Sequence, residues 1–489
     1  MERGVAASRE VGAEPVVDVP AAGELARGRD DSEDAAAAAA ATRELAEEWW
    51  EGPDPRVRAW QAFFPGNASY VSLERAVARA DPPGEPSVLV AWGNAEVPLP
   101  DLDGWDGLVV TRRAFPSTAH LRAAGFSWVR GFVVLPGLAD PRWYLPVGDT
   151  RVTAAALSLY TPYRTAARVR KGALQAAVRL GATRFLGDRV LLAQRSMPAL
   201  TQTAAQLFPG EGPRVILTAG RRERAFKLSA GILTRDARLR AIARICRAGE
   251  PRQALIAGEA AMLRHLNGRH PSNGPAPRLL FEGVRGDLYL TVQGAIAGRP
   301  GPRNMTNLHR TFLERLQEGA PRPASESELV RQLHVRADRW FPEDAVVQRL
   351  LAELDRELAH QVLPSVAVHG DFAPWNVRIE QGTLHAFDWE YGVVDGLPHL
   401  DALHHEIQVG RLLDRWSNDR MTAELRRLAA RDLGPGPDAG LAIARLYLAD
   451  RALRMAEETG DSQEPDARRY IELWARLEGD GPGAHATPT

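Results

Sequence analysis

VAVHGDFAPWNVRIEQGTLHAFDWEYG, residues 366–392, gathers His369, Asp371, Asn376, Asp388 and Glu390 into one short span of a chain otherwise dominated by Ala and Arg. Within it, NVRIE (376–380) and TLHAFD (383–388) are short alternating runs joined through Gln381 and Gly382, a pattern that predicts a β-hairpin. Asn376 opens the first run and Asp388 closes the second, so a hairpin returns them to the same end. Asp371 lies on the loop just ahead. Three oxygen-bearing side chains can therefore converge on one point. Two carboxylates and an amide oxygen make a poor zinc site, where His and Cys dominate. They suit Mg2+, a hard ion that takes few protein oxygens and keeps places for phosphate.

Around this stretch, a length of 489 residues exceeds one ordinary core and predicts two domains, or one bilobal domain with an extension. The composition is globular, 45% hydrophobic and 25% charged, and the net charge of -1 supplies no global field for nucleic acid or an anionic membrane. The single cysteine, Cys246, excludes an intrachain disulfide; its surroundings, AIARICRAG (241–249), read as a helix holding a buried structural thiol. No segment approaches the ~20 uncharged apolar residues that span a bilayer. The acidic N-terminus lacks the basic-then-apolar order of a signal peptide, so the expected compartment is the cytoplasm. Of 61 Lys and Arg residues only two are lysines, Lys171 and Lys227. A lysine retained in such a chain is a candidate for a specific role.

Residues 1–46, with the run Ala35 to Ala41, and the tail 479–489 show no sustained apolar period and are expected to be disordered. Between 47 and 150, SVLVAWG, GLVVTRR, WVRGFVVLP and RWYLPVG read as strands and TAHLRAAGF as a helix, predicting a small α/β region. About thirty residues of it, HLRAAGFSWVRGFVVLPGLADPRWYLPVGD, resemble the closing strands of class I methyltransferases. No Gly-rich turn follows VLVAWG to receive a cofactor, so a methyltransferase-related role is kept only as an alternative. DLDGWDG (101–107) groups Asp101, Asp103 and Asp106 and is first a turn signature, with a metal site as the rival reading. Residues 151–182 predict a helical linker whose Arg face is solvated over a packed Ala/Leu face. Strands return from 183 to 295, including a hairpin in RVILTAGRRERAFKLSA. From 296 to 478 the pattern is helical, broken only by the opening stretch.

His-Gly-Asp, an Asn five residues after the Asp, a hairpin and then Asp-Trp-Glu resembles the aminoglycoside phosphotransferase and choline kinase family, relatives of protein kinases. The protein-kinase counterpart is H-R-D-x-x-x-x-N followed by D-F-G. The resemblance covers roughly residues 200–475. It implies an α+β, bilobal protein-kinase-like fold, with a strand-rich N-lobe at 183–295 and a helical C-lobe at 296–478 that carries the catalytic loop. It also implies an ATP- and Mg2+-dependent phosphotransferase acting on a small-molecule hydroxyl acceptor: a sugar, amino sugar, aminoglycoside or amino alcohol. Asp371 would orient that hydroxyl, Asn376 and Asp388 would hold Mg2+, and His369 would shape the loop. Asp395 and Asp401 fall where the family has acidic anchors of the C-lobe, and Asp401 is expected to brace the loop.

The same resemblance asks the N-lobe for a lysine on a strand, a glutamate on the next helix, and an extended linker whose backbone meets adenine. Lys227 in RAFKLSA and Glu259 in AGEAAMLRHL fit these expectations, with Glu250 and Glu282 as competitors for the glutamate. Leu290 to Gly294, including Gln293, is the linker candidate. TAGRRER stands where protein kinases carry a G-x-G-x-x-G loop, which leaves the phosphate-covering loop undefined. His399, His404 and His405, with Asp401, could mimic a metal cluster, although adjacent helical residues point in different directions. Glu390 has no assigned role. A catalytically silent nucleotide-binding module is the other alternative function.

Overall fold

The computed structural model describes residues 59–78, 86–91, 101–111, 115–159, 162, 165–219, 228–272, 274–431, 433 and 436–478. The termini expected to be disordered, and Lys227, lie outside the described residues. The first strands are β1 (Ser69–Ser72), β2 (Ser87–Ala91), β3 (Gly107–Val110), β4 (Trp128–Leu135), β5 (Trp143–Pro146) and β6 (Asp188–Gln194). Among and after them come α1 (Leu73–Ala78), α2 (Thr118–Ala123), α3 (Thr150–Ala156), α4 (Thr165–Arg179) and α5 (Ala199–Leu207). There follow β7 (Arg214–Ala219), β8 (Leu228–Leu233), β9 (Leu239–Arg247), α6 (Arg252–Arg269), β10 (Leu279–Arg285) and β11 (Leu288–Gly294). These eleven strands form one sheet in the order β1-β2-β3-β6-β4-β5-β7-β8-β9-β11-β10. The first three are parallel. SVLVA and GLVV are buried along their whole length, as parallel strands covered on both faces require.

Two expectations about this half are corrected. LRAIARICR, read as helical because Ala, Leu and Arg are helix formers, is strand β9. Its burial alternates: Ala241, Ala243 and Ile245 lie on one face, with Arg240, Ile242 and Arg244 on the other. Pairing with β8 on one side and β11 on the other overrides local propensity. Cys246 is therefore a buried thiol on a strand, and burial pushes its pKa up to about 11. The second correction concerns the boundary at 182/183. β6, expected to open the kinase-like lobe, pairs antiparallel between β3 and β4. Both of those strands need an edge partner for their backbone groups, and β6 satisfies the two at once.

One sheet face is covered by a helical turn at Ala59–Phe63 and by α5, through Trp60, Phe63, Leu200 and Ala204. The opposite face carries α3, α4 and α6.

The second half contains β12 (Arg299–Pro300), α7 (Asn307–Glu314), β13 (Gln317–Pro323), α8 (Glu328–Trp340), α9 (Ala345–Ala359) and β14 (Val362–Val368). It continues through β15 (Val377–Glu380), β16 (Thr383–Ala386), β17 (Val393–Gly396), α10 (Leu400–Gln408), α11 (Asn418–Arg431), α12 (Pro437–Thr459) and α13 (Pro465–Glu478). Two small sheets, β12-β15-β16 and β13-β14-β17, interrupt the helices. β13, QEGAPRP, was expected to be helical. It has no period of its own and takes an edge position, where proline's missing N–H is tolerated. α12 is the central post: Ile443, Leu446, Tyr447, Leu448 and Leu453 are buried around its circumference, the mark of a helix enclosed on all sides. The architecture is α+β and bilobal, kinase-like in element order, with the hairpin of residues 376–388 facing the strand-rich lobe. Among the described residues no helix is long and apolar enough to cross a membrane.

Candidate active site

β15 and β16 pair from Val377 opposite Ala386 to Glu380 opposite Thr383. Gln381 and Gly382 turn the chain with φ 50° and 80°, the left-handed pair that matches the twist of a two-residue hairpin. At the open end, Asn376 closes a helical turn begun at Pro374 and directs its amide nitrogen at Asp371. That nitrogen donates to the Asp371 carbonyl (2.9 Å) and to its Oδ2 (2.7 Å). This leaves the amide oxygen of Asn376 turned away from Asp371. Oδ1 of Asp371 accepts from Nε2 of His404, on α10, at 2.9 Å.

The loop ahead is held from beneath. Asp401 accepts the backbone N–H groups of His369 (2.7 Å) and Gly370 (3.0 Å). His369 accepts the Asp371 N–H on Nδ1 and reaches the Phe387 carbonyl with Nε2 at 2.9 Å, which fits one neutral tautomer. Gly370 has φ 78°, and a Cβ there would lie 2.8 Å from the Tyr391 Cβ, so the turn is open to glycine alone. Asp388 itself has φ 69°, an unfavourable region for a non-glycine residue and of the kind that collects at functional sites.

Burial opposes the charge on Asp371. The hydrogen bond from His404, with the positive field of Arg451, nevertheless brings its pKa down to about 2. Burial drives His404 the other way for a base, down to about 4, despite the pull of Asp371. At neutral pH the pair is a carboxylate accepting from a neutral imidazole.

The strand-rich lobe meets this site through Arg244 of β9. Its Nε donates to Glu259 Oε2 (3.2 Å) on α6, and a terminal nitrogen donates to Asp388 Oδ1 (2.6 Å). Burial works against that guanidinium, but Glu259, Asp388 and Glu390 outweigh it and hold the charge more firmly than usual. Glu259 is buried, and its second oxygen accepts from Gln293 Nε2 at 3.2 Å. Among the described residues Glu259 thus pairs with an arginine on β9; the expected partner, Lys227, lies outside them. The competitors lie elsewhere: Glu282 accepts from Tyr289 and pairs with Arg264, while Glu250 precedes α6. Leu290 and Gln293 stand on β11; Leu290 is fully buried, and the Gln293 side chain turns to Glu259.

Arg244 and His404 are the site residues the sequence reading missed. The signal for Arg244 was the period-two alternation of LRAIARICR. His404 was considered only within a metal cluster, and the three histidines diverge. His405 lies among rings, 4.9 Å from His309 and 5.9 Å from Phe372, and His399 precedes α10 in a left-handed turn. DLDGWDG is a turn: Asp106 accepts the Ser87 N–H and Asp101 that of Asp103. Among the described residues no group of three His, Cys, Asp or Glu forms a metal site. Asn376 and Asp388 offer two hard oxygens, a set that suits Mg2+ completed by phosphate and water. Asp395 accepts from Ser365 (2.8 Å) and pairs with Arg322, away from Asp371. Glu390 lines a cavity of about 960 Å³ with Tyr391, Arg252, Arg336, Trp340 and Glu458.

Residues 228–447 match the phosphotransferase enzyme family. Solved structures that match part of this chain include a thermostable mutant of aminoglycoside phosphotransferase APH(4)-Ia in ternary complex with AMP-PNP and hygromycin B. It is 15% identical, covering 59% of this chain and 100% of that one with a TM-score of 0.40. Macrolide 2'-phosphotransferase type I is 19% identical over 57% and 96% of the two chains, TM-score 0.36. Choline kinase from Cryptosporidium parvum Iowa II is 10% identical over 57% and 94%, TM-score 0.37. No curated protein matches the sequence.

Proposed function

We propose that this protein, whose residues 228–447 match the phosphotransferase enzyme family, is an ATP- and Mg2+-dependent small-molecule kinase. Its acceptor would be a hydroxyl of a sugar, amino sugar, aminoglycoside or amino alcohol. The observation that carries this reading is the chain of contacts Glu259–Arg244–Asp388, which joins the strand-rich lobe to the hairpin beside Asp371.

Asp371 receives the acceptor hydroxyl. A carboxylate with a pKa near 2 is a feeble base, but a loose phosphoryl transition state asks little push from the nucleophile, so orientation is its main contribution. Asn376 and His404 hold one oxygen each and fix the plane in which the remaining lone pairs meet the hydroxyl. Asn376 and Asp388 are the residues that would hold Mg2+, whose chemistry when bound is to neutralise charge on the phosphate oxygens. Arg244 is the cation set to meet a phosphate oxygen, kept in place by Glu259. The backbone of Leu290 to Gly294 is the adenine-facing linker.

The test is transfer of labelled γ-phosphate from ATP across a panel of sugars, aminoglycosides and amino alcohols. Asp371→Asn should lower kcat by about 10²–10⁴. Transfer at wild-type rate in both Asp371→Asn and Asp388→Ala overturns the assignment. A silent nucleotide-binding module is the second reading, since Asp388, a proposed metal ligand, is engaged by Arg244. It predicts that Mg-ATP raises the Tm while no acceptor is phosphorylated.

A further inference from the structure

The strand ladder decides which side chains share the cleft face of the strand-rich lobe. Arg244 points to the face that holds Glu259 and Asp388. Opposite it in register stand Ser229 of β8 and, beyond that, Thr218 of β7. Two residues along each strand the same face presents Ile242, Gly231 and Ile216, with Gln293 of β11 beside Ile242. A nucleotide whose terminal phosphate lies at Arg244 and Asp388 would lay its base against this patch, next to the β11 linker.

The patch is already covered by the chain itself. Ile216 and Leu233 are buried in one cluster with Val152, Ala154 and Ala156 of α3, Leu157 of the turn after it and Val178 of α4. Leu159, in the same turn, approaches Gly231 so closely that a Cβ on the glycine would lie 2.9 Å from its Cδ1. On the opposite side, α4 reaches toward the catalytic hairpin. Burial and the nearby guanidinium of Arg378, on β15, lower the pKa of Lys171. Arg378 stands two residues after Asn376. The cavity beside Arg244 and Glu259 opens elsewhere, toward α8 and α12, and neither Ile216, Gly231 nor Arg378 lines it.

We infer that α3 and the turn Leu157–Leu159, within residues 150–159, together with α4, residues 165–179, form an internal plug in the nucleotide cleft, with Leu159 in the place of the base. The inference rests on the phosphotransferase reading and concerns the regulation of that site. Without nucleotide, the apolar patch would face water; Leu157 and Leu159 cover it instead. Nucleotide and plug then compete for one surface, so the apparent affinity is reduced by the fraction of molecules in which the cleft is open. The plug is lightly held along α4, where Val178 is its buried residue and Val169 is 67% exposed. Few buried contacts mark a segment that opens at low cost. Lys171 beside Arg378 adds repulsion on the hairpin side.

The test uses the full chain with Mg-AMP-PNP, reading affinity by calorimetry and hydrogen exchange over 150–159 and 165–179. Both segments should be protected without nucleotide and exchange at least about tenfold faster when it saturates. Leu159→Asp should tighten Kd by about tenfold by freeing the patch. Lys171→Glu, which reverses the charge that Arg378 acts on, should hold the plug in and weaken Kd several-fold. Nucleotide binding with both segments still protected, or equal Kd in all three proteins, overturns the plug and leaves the kinase reading intact. Absence of binding in every protein, even though Leu159→Asp exposes the segment, overturns the kinase reading and the plug together.

Discussion

Arg244 uses three nitrogens at once: Nε on Glu259, one terminal nitrogen on Ser229 at 2.8 Å and the other on Asp388. A lysine offers one nitrogen and cannot reproduce that fork. Arg244→Ala removes the guanidinium that meets Glu259, 2% exposed, and should cost about 3–5 kcal/mol in urea unfolding. Arg244→Lys keeps the charge but loses the bridging hydrogen bonds, for an expected cost of about 1–3 kcal/mol. A loss below that of the lysine variant in Arg244→Ala would refute the bridging role. His404 acts on the same site through Asp371. In His404→Phe the hydrogen bond that lowers the Asp371 pKa is gone while burial remains, so that pKa rises from about 2. The acid limb of the kcat profile should move up by at least a pH unit, and His404→Gln should restore part of the shift. A profile that keeps its limb while kcat falls would assign His404 a purely structural part.

β9 shows how an element is decided by its neighbours. Its composition is helical by propensity, yet it lies between β8 and β11, and only the alternation of small buried residues with Arg240, Ile242 and Arg244 carries the strand signal. The hairpin of residues 376–388 was legible because its turn residues, alternation and end residues all agree locally. Helix packing is less visible in sequence. α12 passes α11 at Gly440, where a Cβ would meet the carbonyl oxygens of Ala429 and Leu433, the second at 2.7 Å. Backbone on the far side cannot swing away. Gly440→Ala gains about 1 kcal/mol of helix propensity but overpacks the crossing, with a net destabilisation of about 1–2 kcal/mol expected from the denaturant midpoint. A stabilised variant would mean that the two helices separate easily there.

At the scale of the whole molecule, acid should loosen the helical lobe. His309, His404 and His405 are buried, and burial lowers their pKa values to about 4, 4 and 3. Unfolded, each binds a proton near pH 6.5. The unfolded chain therefore takes up protons the native one refuses, and these residues lower stability as pH falls from 6.5 toward 4. Asp401 and Glu478 oppose this, since burial raises both carboxyl pKa values and lets the native state bind protons first. Replacing one histidine isolates its share. His405→Phe keeps a ring against His309 and Phe372 and should flatten the stability slope between pH 4 and 5.5 by about one proton, roughly 1.4 kcal/mol per pH unit. Parallel slopes for variant and wild type would show that His405 is protonated in the native state.

The sequence by itself determined the hairpin, the placing of Asn376 and Asp388 at its open end, and the likeness of this stretch to the phosphotransferase enzyme family, because these follow from residue type and short spacing within 27 residues. It could not choose the cation that meets Glu259. Arg244 and Asp388 are 144 positions apart, and only the stacking of one lobe on the other brings them together. Nor could it tell that β6 returns to close a gap between β3 and β4, or that α3 and α4 pack on the sheet beside Ile216 and Leu233. Those outcomes depend on which buried surfaces meet across the chain, a property of tertiary contacts that local pattern does not encode.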